Sequence, residues 1–333
     1  MRMSPIFVAG RTRREDERGA IGVIVALLAP VVFGSAAFAI DLGNAWQSQR
    51  QLRTATDSAA LAAAQDYASG GEGCVSTAGE YLASNDDRAS LTGCIDVRAT
   101  DPTTGYVTVK ATAHVEYTFA PVIGIDGQDV HSSTTAGFGV PGGASGLRPI
   151  AICVSFPALS AWLNAPGGPV SASGPITVPY TNADQGCASA PGNWDLLDYD
   201  DGGGGADEVS DLLINGYPIA VTIPSLIAPK TGHVSSISSA LAGLVDTGAV
   251  FPIPLFDQVE GTGKNARYHA VAVARVRLLE FDINGSPSNQ YLTVEFVPGL
   301  VTGSCCGTGI DTGARAVTIC AVNTDPIAGQ CNS

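Results

Sequence analysis

The sequence predicts an α+β protein. An N-terminal transmembrane helix continues into a juxtamembrane helix, followed by a small helix-on-antiparallel-sheet module and a β-rich, disulfide-braced ectodomain. Three observations carry this expectation. Residues 19–40, GAIGVIVALLAPVVFGSAAFAI, run for 22 positions without a charge. Forty glycines and 20 prolines among 333 residues favour many turns and short strands. All eight cysteines follow the apolar run.

Residues 1–18 are expected as a basic cytoplasmic N-terminus: five arginines (Arg2, Arg11, Arg13, Arg14, Arg18) stand against Glu15, Asp16 and Glu17. Arginines directly before an apolar span mark the cytoplasmic side. As a helix, residues 19–40 would extend about 33 Å, enough for a hydrocarbon core of about 30 Å. A signal peptide has an apolar region of only about 7–15 residues, so an uncut anchor is favoured. The alternative is cleavage after Ala37-Phe38-Ala39, an A-x-A site, which would release a secreted calcium-dependent binding or adhesion module. Pro30 removes one backbone donor and predicts a modest kink.

Beyond Asp41 the chain still reads as helix. Leu42, Ala45, Gln49, Leu52, Thr56, Ala59 and Ala63 recur at alternating steps of three and four, which forms a narrow helix-packing seam. Its residues are mostly small or polar, so it allows close approach with little hydrophobic energy of its own. Two occupants remain open: the protein's own ectodomain or other helices. Gly22 with Ala26, and Ala39 with Gly43, would also permit helix pairing inside the membrane. Asp41 is expected only to end the span at headgroup level, where its charge need not be buried. Arg50, Arg53 and Asp57 are expected to face water.

The stretch RGAIGVIVALLAPVVFGSAAFAIDLGNAWQSQRQLRTATDSAALAAA resembles the N-terminal segment of TadE/TadG-like Flp pilus-assembly proteins. The resemblance rests on the order of features. A basic residue and Gly come first, then an apolar span with a central Pro, then Ala-Ile-Asp-Leu-Gly, Arg-Gln-Leu and the Ala-rich run around Thr56–Leu61. It implies a bitopic component of a tight-adherence (type IVb) pilus system. Its implied partners are the membrane and other pilus-assembly or pilin-like helices. Two family features are not matched. Ile24 stands where a prepilin, cut after Gly19, carries glutamate, and no D-x-S-x-S metal site occurs.

Residues 41–140 are expected to hold the juxtamembrane helix and a small α+β module. In that module a short helix lies between Cys74 and Cys94, a hairpin turns around Asp101–Gly105, and VHSSTTAGFGV adds a strand. Residues 141–149, PGGASGLRP, read as a linker by composition. Residues 150–333 alternate β-rich runs with Gly, Pro and Asn breaks, and one short helix is expected over Glu208–Ile214.

An even count of Cys74, Cys94, Cys153, Cys187, Cys305, Cys306, Cys320 and Cys331, with no C-x-x-C, points to disulfides in an oxidising compartment rather than zinc. Sequence neighbours suggest Cys74 with Cys94 and Cys153 with Cys187. Adjacent Cys305 and Cys306 are expected to bridge to Cys320 and Cys331, because a vicinal bridge has unfavourable geometry.

From Asp41 onward 12 basic residues face 28 acidic ones. Such a body repels phosphate backbones, which excludes nucleic acid as a partner. DYDDGGGGADE is the one candidate metal loop, with Asp198, Asp200, Asp201, Asp207 and Glu208 as possible calcium ligands. It misses the EF-hand register: counted from Asp198, Val209 occupies the twelfth position, where a bidentate Glu is needed. A solvated acidic turn is the alternative. GTGKN lacks the leading glycine and the Ser/Thr of a phosphate loop, no G-x-S-x-G occurs, and the four histidines are scattered. The residues identify no cofactor beyond possible calcium, no small-molecule substrate and no catalytic residue.

Overall fold

The computed structural model describes residues 17–98, 104–166, 174–179, 187, 193–202, 205–231, 237–262, 265–284 and 289–322. The chain divides into two compact units: Met1–Gln51 with Ala113–Val130, and Leu52–Thr112 with His131–Ser333.

α1 (Glu17–Ala68) is one unbroken helix of 52 residues that runs through Pro30. Apolar and Ala-rich composition on either side of Gly43 carries the helix past a residue that costs about 1 kcal/mol relative to Ala. Gly70, in the left-handed region (φ 85°), turns the chain out of it. α2 (Cys74–Asn85) buries Cys74, Ala78 and Leu82, a single stripe at four-residue spacing. Next come β1 (Ala89–Arg98), β2 (Gly105–Glu116), a 3₁₀ turn at Ala120–Ile123, and β3 (Gly127–Gly139). In β2, Val107, Val109, Ala111, Ala113 and Val115 are buried at every second position, the period of a pleated strand.

The body continues with β4 (Pro141–Ala144), β5 (Ile152–Cys153), α3 (Pro157–Leu163), β6 (Pro175–Pro179), β7 (Asn193–Asp198) and α4 (Ala206–Asn215). Then come β8 (Val221–Thr222), β9 (Ser225–Thr231), α5 (Ser238–Thr247), β10 (Val250–Glu260), β11 (Arg267–Asp282) and β12 (Tyr291–Phe296). Last are β13 (Gly299–Leu300), β14 (Gly303–Cys305) and β15 (Ala314–Val322).

Among the described residues three sheets form. The first runs β1-β2-β3-β15-β13. The second, seven-stranded, runs β5-β10-β11-β12-β6, with β9 paired to both β7 and β11. The third is β14-β4-β8. The 16-residue β11 organises the large sheet, and α5 packs on it. Phe251, Ile253, Ala274 and Val276 of the sheet meet Leu241 and Leu244 of α5, Val209 and Leu213 of α4, and Leu159 and Trp162 of α3 in one core. Trp162 lies against Phe296 with ring centroids 4.6 Å apart.

Three features differ from the sequence expectation. The 141–149 stretch is built into the body: β4 pairs with β14 and β8, and Leu147 is fully buried. Its composition is open, but its backbone groups are used by neighbouring strands. β15 joins the first sheet, antiparallel to β3, so a strand from 314–322 completes the N-terminal module. Cys305 and Cys306 are disulfide-bonded to each other. The peptide between them is cis, which sets their Cα atoms 3.1 Å apart and removes the separation that a trans peptide would impose. Cys74 pairs with Cys94, and Cys153 with Cys187. Cys320 is also disulfide-bonded, and Cys331 lies outside the described residues.

Candidate functional site

From Ile21 to Ile40 every residue of α1 is exposed except the half-buried Ala29 and Ala37. Leu27, Val31 and Phe33 present 69%, 63% and 74% of their surface. A soluble core helix would hide such side chains, so this stretch has the surface of a helix made for an apolar medium. Ser35, the one hydroxyl in the run, donates to the carbonyl of Val31 at 2.7 Å, so the helix itself supplies its partner. A Cβ added at Gly22 or Gly43 would meet nothing within 4 Å.

At Asp41 the character changes abruptly. Its side chain is buried, not merely placed at a boundary. The carboxylate accepts backbone N–H groups from Thr118 (2.8 Å), Phe119 (3.0 Å to one oxygen, 3.3 Å to the other) and Ala120 (2.7 Å). These are the donors that open the 3₁₀ turn between β2 and β3, and the first N–H groups of a helical turn have no partner within the turn itself. Burial raises the Asp41 carboxyl pKa, but the three donated hydrogen bonds outweigh it and hold the group below the ordinary carboxylate range. One turn further along, the Asn44 side-chain amide donates to the Glu116 carbonyl at 3.4 Å. Sequence reading missed this clamp, because its two halves lie 77–79 residues apart.

Along the seam, Ala45, Leu52, Thr56, Ala59 and Ala63 are buried, Gln49 is half-buried and Leu42 is exposed. Leu52, Thr56, Ala59 and Ala63 are thus covered within the body's own unit. Asp57 does not face water as expected: Thr134 of β3 donates its hydroxyl to it at 2.5 Å. Tyr67 stacks on Phe138 of the same strand at 5.5 Å, fixing this half of α1 to the first sheet. On the exposed side, the Arg50 guanidinium lies 4.9 Å from the Trp46 ring centroid.

Of the five acidic candidates, Asp198, Asp200 and Glu208 bring carboxylate oxygens within 4.8 Å of one another. Asp201 pairs instead with Arg267 at 3.3 Å, and Asp207 lies in the first turn of α4, outside the trio. The Gly202 N–H, donated at 2.9 Å, chiefly lowers the Asp200 pKa, followed by the hydrogen bond Asp200 shares with Asp198; the Lys230 charge adds to it. Protein cations therefore already approach the cluster. His114 contacts Asp129 and His269 contacts Asp257, each through Nδ1, at 2.7 and 2.8 Å. Residues 263 and 264 of GTGKN lie outside the described set, and Gly261 makes the turn after β10 with φ 78°.

These features define a class: a disulfide-braced α+β body continuous with one long apolar helix near the N-terminus. Within it, residues 19–66 match the family model described as "Putative Flp pilus-assembly TadE/G-like", and this N-terminal segment is TadE/G-like. The match covers the exposed apolar half of α1 and nearly all of its packed half. No curated protein and no solved structure matches the chain.

Proposed function

We propose that this chain is a membrane-anchored, non-catalytic component of a Flp (tight-adherence) pilus assembly or secretion system. Residues 19–40 cross the membrane once, with the arginine-rich N-terminus in the cytoplasm and the body on the outer side. The observation that carries this reading is the coincidence of the family match with a helix that is bare over Ile21–Ile40 and packed into the body from Leu52 onward. The bare half is free to meet lipid and the helices of pilin-like partners, while the seam below is occupied by the chain's own body. Cleavage after Ala39 would cut inside α1 and leave Asp41 as the second residue of the new chain, a poor place for a carboxylate that orders a loop.

Deleting the gene in its native bacterium is expected to abolish assembled Flp pili. Full-length protein should restore them, and a secreted version starting at Ile40 should not. Normal piliation in the deletion strain would refute the assignment.

No resident metal is needed for this role. With the Lys230 charge acting on Asp200 and Arg267 paired with Asp201 in the same loop, millimolar calcium is expected to raise the melting temperature of the native protein by less than about 1 °C, since only a ligand well above its Kd stabilises appreciably. A larger rise that disappears in Asp198→Ala/Asp200→Ala would instead assign a calcium site there.

A further inference from the structure

The turn between β2 and β3 carries an apolar tip that the anchoring role does not by itself require. From Tyr117 to Ile125 the chain reads YTFAPVIGI, without a charge. Val122 and Ile123 are 90% and 75% exposed, and Phe119 and Ile125 nearly half exposed. A soluble loop tip is normally polar, because water supplies its backbone partners. Here the partners come from the protein. Asp41 takes the N–H groups of Thr118, Phe119 and Ala120. Val122 donates to Phe119, Gly124 to Pro121, Ile125 to Ala120, and Tyr117 to Asp126 across the neck of the loop. A loop whose donors are met internally loses little when water is removed from around it, and that is the condition for backbone at membrane depth.

The tip also belongs to the same surface as the apolar helix. Phe119, Ala120, Val122 and Ile123 form one wall of a groove of about 500 Å³. Residues of α1 between Phe33 and Asp41 form the other, a rise of about 12 Å along the helix. Apart from Asp41, already engaged, no charged side chain lines it. We propose that the β2–β3 tip inserts into the membrane leaflet at the Asp41 end of the span, with lipid acyl chains filling the groove. Asp41 is then a positioning residue: it locks the tip beside the helix so that the chain holds the leaflet at two points. One helix alone is free to rotate and shift along its axis in the leaflet; a second apolar contact in the same compact unit fixes the height and rotation of this end of the span. Lipid is the chosen occupant because the groove continues the bare face of the span and offers a protein partner no free charge or donor to recognise.

The proposal rests on the membrane-anchor reading, so the experiment separates the two. Nitroxide labels are placed on full-length protein as Phe33→Cys, Val122→Cys, Ile123→Cys and Ser84→Cys, without reductant so that the disulfides stay closed. The proteins are reconstituted in phosphatidylethanolamine–phosphatidylglycerol vesicles, and collisions with oxygen and with a water-soluble nickel chelate are compared. The expected result is oxygen-dominated relaxation at 33, 122 and 123, with nickel-dominated relaxation at 84. Nickel access at 122 and 123 with oxygen dominance at 33 overturns the loop insertion and leaves the anchor intact. Nickel access at 33 overturns the anchor and the loop together. Shielding of 122 and 123 from both reagents means that protein, such as a second copy, covers the tip, and also overturns the proposal.

Discussion

Replacing Leu27 and Val31 together with arginine is expected to remove the full-length protein from the membrane fraction while leaving its body folded. The two positions are four residues apart on one helix face near the middle of the 19–40 run, and both are largely exposed. Each arginine at the centre of a span costs about 2.5–3.5 kcal/mol on an insertion scale. Together they oppose insertion by about 5–7 kcal/mol, a shift of about four orders of magnitude in partition. Because neither side chain belongs to the core of the body, disulfide content and melting temperature of the material recovered in detergent should match the parent. Leu27→Ala/Val31→Ala, which adds no charge, should remain in the membrane. Full retention of the double arginine variant, measured by alkaline extraction, would contradict an anchoring role for this helix.

The second large effect is expected at Asp41. Asp41→Ala removes the acceptor of three N–H groups at once. The 3₁₀ turn should open. Amide hydrogen exchange at Thr118, Phe119 and Ala120 should accelerate by about tenfold or more, with exchange in the large sheet unchanged. Asp41→Asn keeps one carbonyl acceptor but loses the charge, and should fall between parent and alanine variant. The pH dependence has a definite sign. The Asp41 carboxyl is held below the ordinary carboxylate range, so its stabilisation is complete above about pH 4 and is lost as pH falls through the depressed value. Protection of these three amides should therefore be flat from neutral pH down to the ordinary carboxylate pKa and collapse only in stronger acid. Loss of protection near neutral pH would mean that another group orders the turn.

How much was legible in the sequence depended on the range of the physics involved. The bare helix was readable because length and lack of charge are local properties, and the family resemblance falls on those same residues. The seam was readable as spacing, but spacing does not name the partner. That Asp57 meets Thr134 and Tyr67 meets Phe138 follows from where β3 lies, a tertiary fact. The strands of the body announced themselves by alternation, yet the return of β15 to β3 joins segments nearly two hundred positions apart that no local pattern connects. Asp41 shows the same limit most clearly. An acidic residue at the end of an apolar run reads as a boundary marker until the loop it holds is placed beside it. The vicinal Cys305–Cys306 bond was missed for a different reason, because the geometry of bridges between adjacent cysteines is generally unfavourable, which pointed to Cys320 and Cys331 instead. The acidic loop was found by composition, but Lys230 and Arg267, which temper its attraction for a cation, come from other strands.

If the TadE/G-like segment is retained as a membrane span, the mature N-terminus of the native protein must still precede it. Intact mass and N-terminal sequencing of protein taken from washed membranes should find residues 19–40 present and the protein resistant to alkaline extraction. A mature chain beginning at Ile40 and recovered from the medium would contradict it.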